Sequence, residues 1–200
     1  MCAEKNPPKT TTTENGDTLK GKMLIAMPDM GDPRFDKAVI VVLEHGTDGA
    51  MGIVINKLLD AIEFHELLEQ LEIPFSDPDK PPQHPVHFGG PVELGRGFVL
   101  HSPDVMLDHS LPLEDLAITT SLEMLALIAE NVGPKQSLFC LGYTGWAAGQ
   151  LENEIKQNAW LHAPLDPDIL FTLPYEARWD AAMALVGVDP DHLSSVSGRA

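Results

Sequence analysis

The stretch Ser137-Leu138-Phe139-Cys140-Leu141, continued by Gly142-Tyr143-Thr144-Gly145-Trp146-Ala147-Ala148-Gly149-Gln150-Leu151-Glu152-Asn153-Glu154, decides the fold. Its first five residues form an apolar run that suits a buried strand. Three glycines and two large aromatics then stand close together. Glycine adopts backbone angles that other residues avoid, and Tyr143 and Trp146 supply apolar surface to cover a sharp turn. The stretch therefore reads as a buried strand, a tight loop over 142–149, and a helix ending near Trp160. The loop spacing, Gly-x-x-Gly-x-x-x-Gly, is neither a dinucleotide fingerprint nor a P-loop, since no Lys-Ser/Thr follows. A helix start behind such a loop can attract an anion, but a turn that lets Tyr143 and Trp146 pack is the plainer reading.

Upstream, Met23–Met27 and the β-branched run Ala38–Leu43 have strand character, the second suited to burial on both faces. Asp48-Gly49 is a hairpin signal, and Met51–Asn56 returns as the partner strand. A helix is expected over 58–71, a proline-rich loop over 73–85, short strands at 86–92 and 97–101 around a glycine-rich corner, and irregular chain over 102–115. Leu116–Thr119 is a further strand. Thr120 to Glu123 has a capping-box pattern and opens a helix that Gly133-Pro134 ends. Downstream, Ile169–Phe171 reads as a strand, Tyr175–Val186 as a last helix, and the chain from Asp189 as a loop-like tail. Residues 1–18 are polar and aperiodic, so a disordered tail is expected there, with one domain over 19–200. Hairpins mixed with helices indicate α+β in place of a regular βαβ array.

Composition narrows the function classes. The chain has 200 residues, 44% of them hydrophobic, enough for one core. Its formal net charge is -17, with only 13 scattered basic residues. That field repels nucleic acid, which binders attract with a basic face. No apolar run approaches the roughly 20 residues of a membrane span. With no apolar leader and with Cys2 and Cys140 too few for a disulfide framework, a cytoplasmic protein is expected. Cys140, between Phe139 and Leu141, reads as a small core residue. His65-Glu66-Leu67-Leu68-Glu69 falls one residue short of a zinc-protease motif and lacks a third ligand, so a solvated acidic helix face is expected. No Gly-x-Ser-x-Gly elbow is present. The residues call for no metal and no cofactor.

One ordered set of motifs runs from about residue 19 to the C-terminus. It comprises Gly21-Lys22-Met23-Leu24-Ile25-Ala26-Met27-Pro28 with Asp32-Pro33-x-Phe35; Glu44-His45 with Gly49-Ala50-Met51-Gly52 and Asn56; Gly89-Gly90-Pro91-Val92; and Arg96-Gly97-Phe98-Val99-Leu100-His101. The Gly142–Glu154 stretch, Asn158-Ala159-Trp160-Leu161 and Arg178-Trp179-x-x-Ala182 complete it. The sequence resembles the bacterial AlgH/YqgE family. That resemblance implies a single-domain α+β fold, with a partly open, barrel-like mixed β-sheet surrounded by helices. It also implies a poorly understood function, labelled transcriptional regulation, with no established catalytic residues. Leu58 stands where the family often has Pro, Thr144 where Ala is usual, and Arg199 where His is common.

His45, His87 and His101 sit beside glycines at the ends of expected strands, where rigid scaffolds place functional loops. They could converge with Glu44, Asn56 and Arg96. The candidate binding surface joins these residues to Tyr143, Gly145, Trp146 and Gln150. The leading expectation is a non-catalytic regulator that binds a small ligand or a protein partner as a monomer or homodimer. An enzyme using His and carboxylate acid–base chemistry is the alternative; it requires at least two of His45, His87, His101 and Glu44 around one pocket. A direct DNA-binding regulator is the third reading, and the charge disfavours it.

Overall fold

Strands that are apolar at both odd and even positions demand a cover on each face of their sheet. In β1 (Lys22–Ala26), Met23 and Ile25 enter one apolar cluster while Leu24 and Ala26 enter another. In β2 (Val39–Gly46), Val39, Val41 and Leu43 likewise oppose Ile40 and Val42. The structure, a computed structural model, describes residues 18–28, 30–77 and 79–189. All but the last residue of the expected N-terminal tail, and nearly all of the C-terminal one with Arg199, therefore lie outside the described residues.

The remaining strands are β3 (Gly49–Val54), β4 (Val86–Phe88), β5 (Val92–His101), β6 (Leu111–Leu113), β7 (Leu116–Thr119), β8 (Ser137–Ala147) and β9 (Trp160–Pro164). They form one nine-stranded sheet in the order β6-β7-β5-β8-β3-β2-β1-β9, with β4 also on β8. All neighbours are antiparallel except β4 and β8. The sheet curls into a half-barrel, the α+β single domain that the resemblance implied.

One cluster draws on β1, β2, β3, β5, β7 and β8 together, so it fills the inside of the curl. It is closed by α4 (Pro167–Phe171) and α5 (Arg178–Leu185) through Ile169, Leu170, Trp179 and Met183. The outer face carries two separate clusters. Leu151 of α3 (Gln150–Lys156) packs with Trp146 and Trp160 over the β1–β3 half. Phe64 and Leu68 of α1 (Phe64–Gln70), with Met124 and Leu125 of α2 (Leu122–Ala129), cover the β4–β5–β8 half. Glu66 and Glu69 lie on the exposed side of α1.

Several expectations are corrected. The loop over 142–149 is strand: β8 runs to Ala147, pairing Thr144 to Ala147 with Gly52 to Gly49 of β3, and only Ala148-Gly149 turn. Gly142 has φ 75°, and a Cβ there would meet the Gly90 carbonyl oxygen at 2.4 Å. It thus serves a close backbone approach within a sheet. The helix after it ends at Lys156, and Trp160 opens β9. Ile169–Phe171 is helical because Asp166 caps the backbone N–H groups of Asp168 and Ile169, with Pro167 in the first turn. The helix expected from 58 starts only at Phe64, because the Leu59 N–H donates to Val86 O at 2.9 Å and Leu58 bridges His87. The irregular 102–115 segment contains β6, and the last helix begins as a 3-10 turn over Tyr175–Ala177. The strand expected over 86–92 stops at Phe88, and β5 already begins at Val92. Ser121, one residue after Thr120, caps α2 by accepting from the Met124 N–H.

Candidate functional site

The turn from β8 into α3 builds the site. The Ala147 N–H donates to Gln150 Oε1 at 3.0 Å, so Gln150 caps the turn with its own side chain. One helical turn on, Gln150 Nε2 donates to Glu154 Oε1 at 2.8 Å. The other carboxylate oxygen, Oε2, accepts from the indole nitrogens of both Trp146 and Trp160, each at 2.8 Å. The two indoles meet edge to face at 6.0 Å and 81°, and Phe35 meets Trp160 at 5.9 Å and 71°.

These rings and Glu154 line an open groove of about 350 Å³, with Asp32, Arg34 and Gly145 on its walls. Asp32 holds Arg34 through three contacts of 2.6 to 3.1 Å, and Arg34 lies 5.9 Å from the Phe35 ring centre. The hydrogen bonds from Arg34 hold the Asp32 carboxyl below its usual range. The buried Thr144, in place of the family's usual Ala, also faces this groove. A carboxylate offers about four acceptor positions, and Glu154 uses three in these contacts. The groove thus combines aromatic rings with spare acceptor capacity, a setting for a cation or an N–H donor. Among the described residues, it contains no nucleophile paired with a base.

Gly145, Trp146 and Gln150 were named from sequence and are brought together here. Asp32, Phe35, Trp160 and Glu154 stood in the motif set but were not named as site residues, and Arg34 was in neither. The Gln150–Glu154 spacing of four on a helix was the available signal.

The histidines go elsewhere. His45 Nδ1 accepts from the Leu19 N–H at 3.2 Å, so its Nε2 donates to Glu152 Oε1 at 3.0 Å and ties β2 to α3. His101 and Thr119 are buried in a closed relay. Leu107 N–H donates to Ser110 Oγ at 2.9 Å, Ser110 contacts Thr119 Oγ1 at 2.6 Å, Thr119 contacts His101 Nε2 at 2.8 Å, and His101 Nδ1 donates to Ser102 O at 2.9 Å. His87 is buried against Arg178, whose Nη1 lies 3.5 Å from His87 Nε2. A guanidinium only donates, so Nδ1 carries the His87 proton and donates to Phe139 O at 3.3 Å. Burial first, then the Arg178 charge, lower the His87 pKa to about 4. Cys140 is fully buried in the same layer, and burial pushes its thiol well above the usual range. Asn56 clamps backbone, accepting from Val39 N–H and donating to Lys37 O, both at 2.8 Å. The three histidines therefore do not converge, and Glu44 joins none of them in a pocket. Arg96 instead stacks over Phe98 and Tyr143, 5.0 and 5.9 Å from the ring centres.

Comparison with known proteins fits this geometry into a family. The family model described as AlgH-like, DUF179, matches residues 23–191. A UPF0301 protein of Chromobacterium violaceum is 50% identical over 184 residues, covering 92% of this chain and 98% of the relative. One from Ruegeria pomeroyi is also 50% identical over 184 residues, covering 91% and 99%. The solution structure of AlgH from Pseudomonas aeruginosa superposes with a TM-score of 0.75 at 43% identity, covering 98% of this chain and 100% of that one. The crystal structure of DIP2367 from Corynebacterium diphtheriae shares the fold at a TM-score of 0.66 and 21% identity, covering 86% and 88%. The chain belongs to the AlgH-like, UPF0301 family.

Proposed function

We propose that this protein works by binding and not by catalysis, and that its aromatic groove receives a cationic group carried by a small molecule or by a segment of a partner protein. The observation that carries this reading is Glu154. Two indoles and Gln150 fix its carboxylate beside an open groove, with one acceptor position to spare. A guanidinium or ammonium can donate there beside the aromatic wall of the groove. The strongly negative chain favours cationic partners at long range. We further propose that the binding serves regulation in the cytoplasm. Among the described residues, no helix is long and apolar enough to cross a membrane.

Acid–base catalysis is the weaker reading, since His45, His87 and His101 are each committed to separate structural contacts. Direct DNA binding is weaker still against 30 acidic residues. Agmatine and N-acetylarginine amide are suitable probes, read by the indole N–H signals of Trp146 and Trp160 in proton–nitrogen spectra. We expect both signals to shift saturably and the response to vanish in Glu154→Gln. Indole signals that stay fixed at millimolar probe would overturn the reading.

A further inference from the structure

A second, independent site lies on the inner face of the curled sheet, and two register shifts build it. In β2 the pairing jumps from Val42–Gly52 to Glu44–Met51, so Leu43 is the extra residue of a bulge. A bulge reverses the alternation that follows it. Glu44 is thereby carried opposite Met51, which packs against the inner cluster. In β5 the pairing jumps from Val92–Tyr143 to Gly97–Leu141, and Arg96 leaves this bulge to stack over Phe98 and Tyr143. Phe98 and Tyr143 themselves meet edge to face at 6.1 Å.

Glu44, Arg96 and Lys20 surround one slot of about 140 Å³, with His109 also on its rim. The walls are apolar, formed mainly by Leu43, Phe98, Leu113 and Ile118. Charges of both signs share this mouth without neutralising each other. The ion pair that Arg96 makes is a single exposed contact of 3.3 Å to Glu93. Among the described residues, the side chains of Glu44 and Lys20 have no ion pair or hydrogen bond.

We propose that this mouth binds a free α-amino acid with an apolar side chain. Its carboxylate would meet Arg96 and Lys20, its ammonium would meet Glu44, and its side chain would enter the slot. Arg96 lies over the Phe98 and Tyr143 rings, and its guanidinium offers a carboxylate a planar pair of donors. The small volume limits the ligand to about one side chain, well below the roughly 300 Å³ of drug-sized pockets. A carboxylate alone leaves Glu44 without a partner, and an amine alone leaves Arg96 and Lys20 without one.

The test uses the full chain with L-leucine, 4-methylpentanoate, which lacks the ammonium, and leucinamide, which lacks the carboxylate. Binding is read from backbone amide shifts of Met51, Phe98 and Ile118. L-leucine is expected to saturate these shifts at millimolar concentration, and each analogue to bind about ten-fold more weakly or worse. Arg96→Gln should reduce the preference for leucine over leucinamide, leaving only the Lys20 share, and Glu44→Gln should abolish the preference over 4-methylpentanoate. Both residues are exposed, so the variants should keep the parent spectrum elsewhere. Equal or tighter binding of 4-methylpentanoate by the parent protein would make this a site for anionic amphiphiles and overturn the proposal. Absence of saturable shifts with L-leucine would overturn it too. Neither result bears on the aromatic groove, whose indole signals are read separately.

Discussion

The carboxylate of Glu154 and the guanidinium of Arg178 are both set among large apolar side chains, yet they are used differently. Arg178 is 7% exposed and makes no ion pair among the described residues. It donates from Nε to Leu173 O at 3.2 Å and from Nη1 to Ile55 O, and it faces His87. Those contacts join the C-terminal helix to the end of β3, inside the curl. Glu154 also gathers donors from separate elements, but it does so at the margin of a groove and keeps acceptor capacity. The difference teaches how to sort polar groups in an apolar setting. A group whose bonds all run to backbone and buried neighbours fastens the fold. One held rigidly beside open space keeps capacity for a further contact.

Breaking the inner cluster should have the largest effect. Arg178→Ala removes partners from one buried and one half-buried carbonyl and leaves a void, and should cost about 4 kcal/mol in chemical denaturation. Arg178→Met, which keeps most of the volume, should recover only the packing share. Next comes acid. His87 titrates at about 4 in the fold against an ordinary 6.5. Between those values the unfolded chain binds a proton that the fold refuses, so stability is full above pH 6.5 and falls as pH drops toward 4. The loss should approach about 3 kcal/mol. His84 and His101, also lowered chiefly by burial, act in the same direction. His87→Gln should remove the His87 share, and urea titrations at several pH values would read it. The smallest effect is expected at the groove. Glu154→Gln turns two charge-assisted indole contacts into neutral ones, costing about 1 kcal/mol and shifting tryptophan emission. Were that variant to lose as much stability as Arg178→Ala, the two clusters would be alike, and Glu154 would be a structural fastener.

Sequence was most legible where local and tertiary demands agree. The Val39–Val42 run and Asp48-Gly49 gave the β2–β3 hairpin, because burial on both faces leaves a continuous apolar signature. It was least legible in 142–149, where glycines read as a loop. Gly142 is needed because a Cβ there would strike the Gly90 carbonyl oxygen at 2.4 Å. That requirement comes from the β4–β5 connection, far away in sequence, and leaves no local mark. Ile169–Phe171 failed for another reason: three apolar residues fit either structure, and the deciding signal was the Asp166-Pro167 cap. At the site, the residue types of Trp146 and Gln150 were visible, whereas the dispersal of the three histidines depended on how strands pair.

The position of β8 has a consequence for synthesis. It is the strand that joins β6-β7-β5 to β3-β2-β1-β9, because β5 pairs with one side of it and β3 and β4 with the other. Gly52 meets Thr144, so a ribosome moving at about 5–20 residues per second leaves the outer edge of β3 waiting for several seconds. Until then the nascent chain holds two half-sheets with open edges, the form most prone to pair with other chains. A chain released just short of Ser137 would keep β6-β7-β5 and β3-β2-β1 and lack the strand that joins them, so premature termination there should yield aggregate.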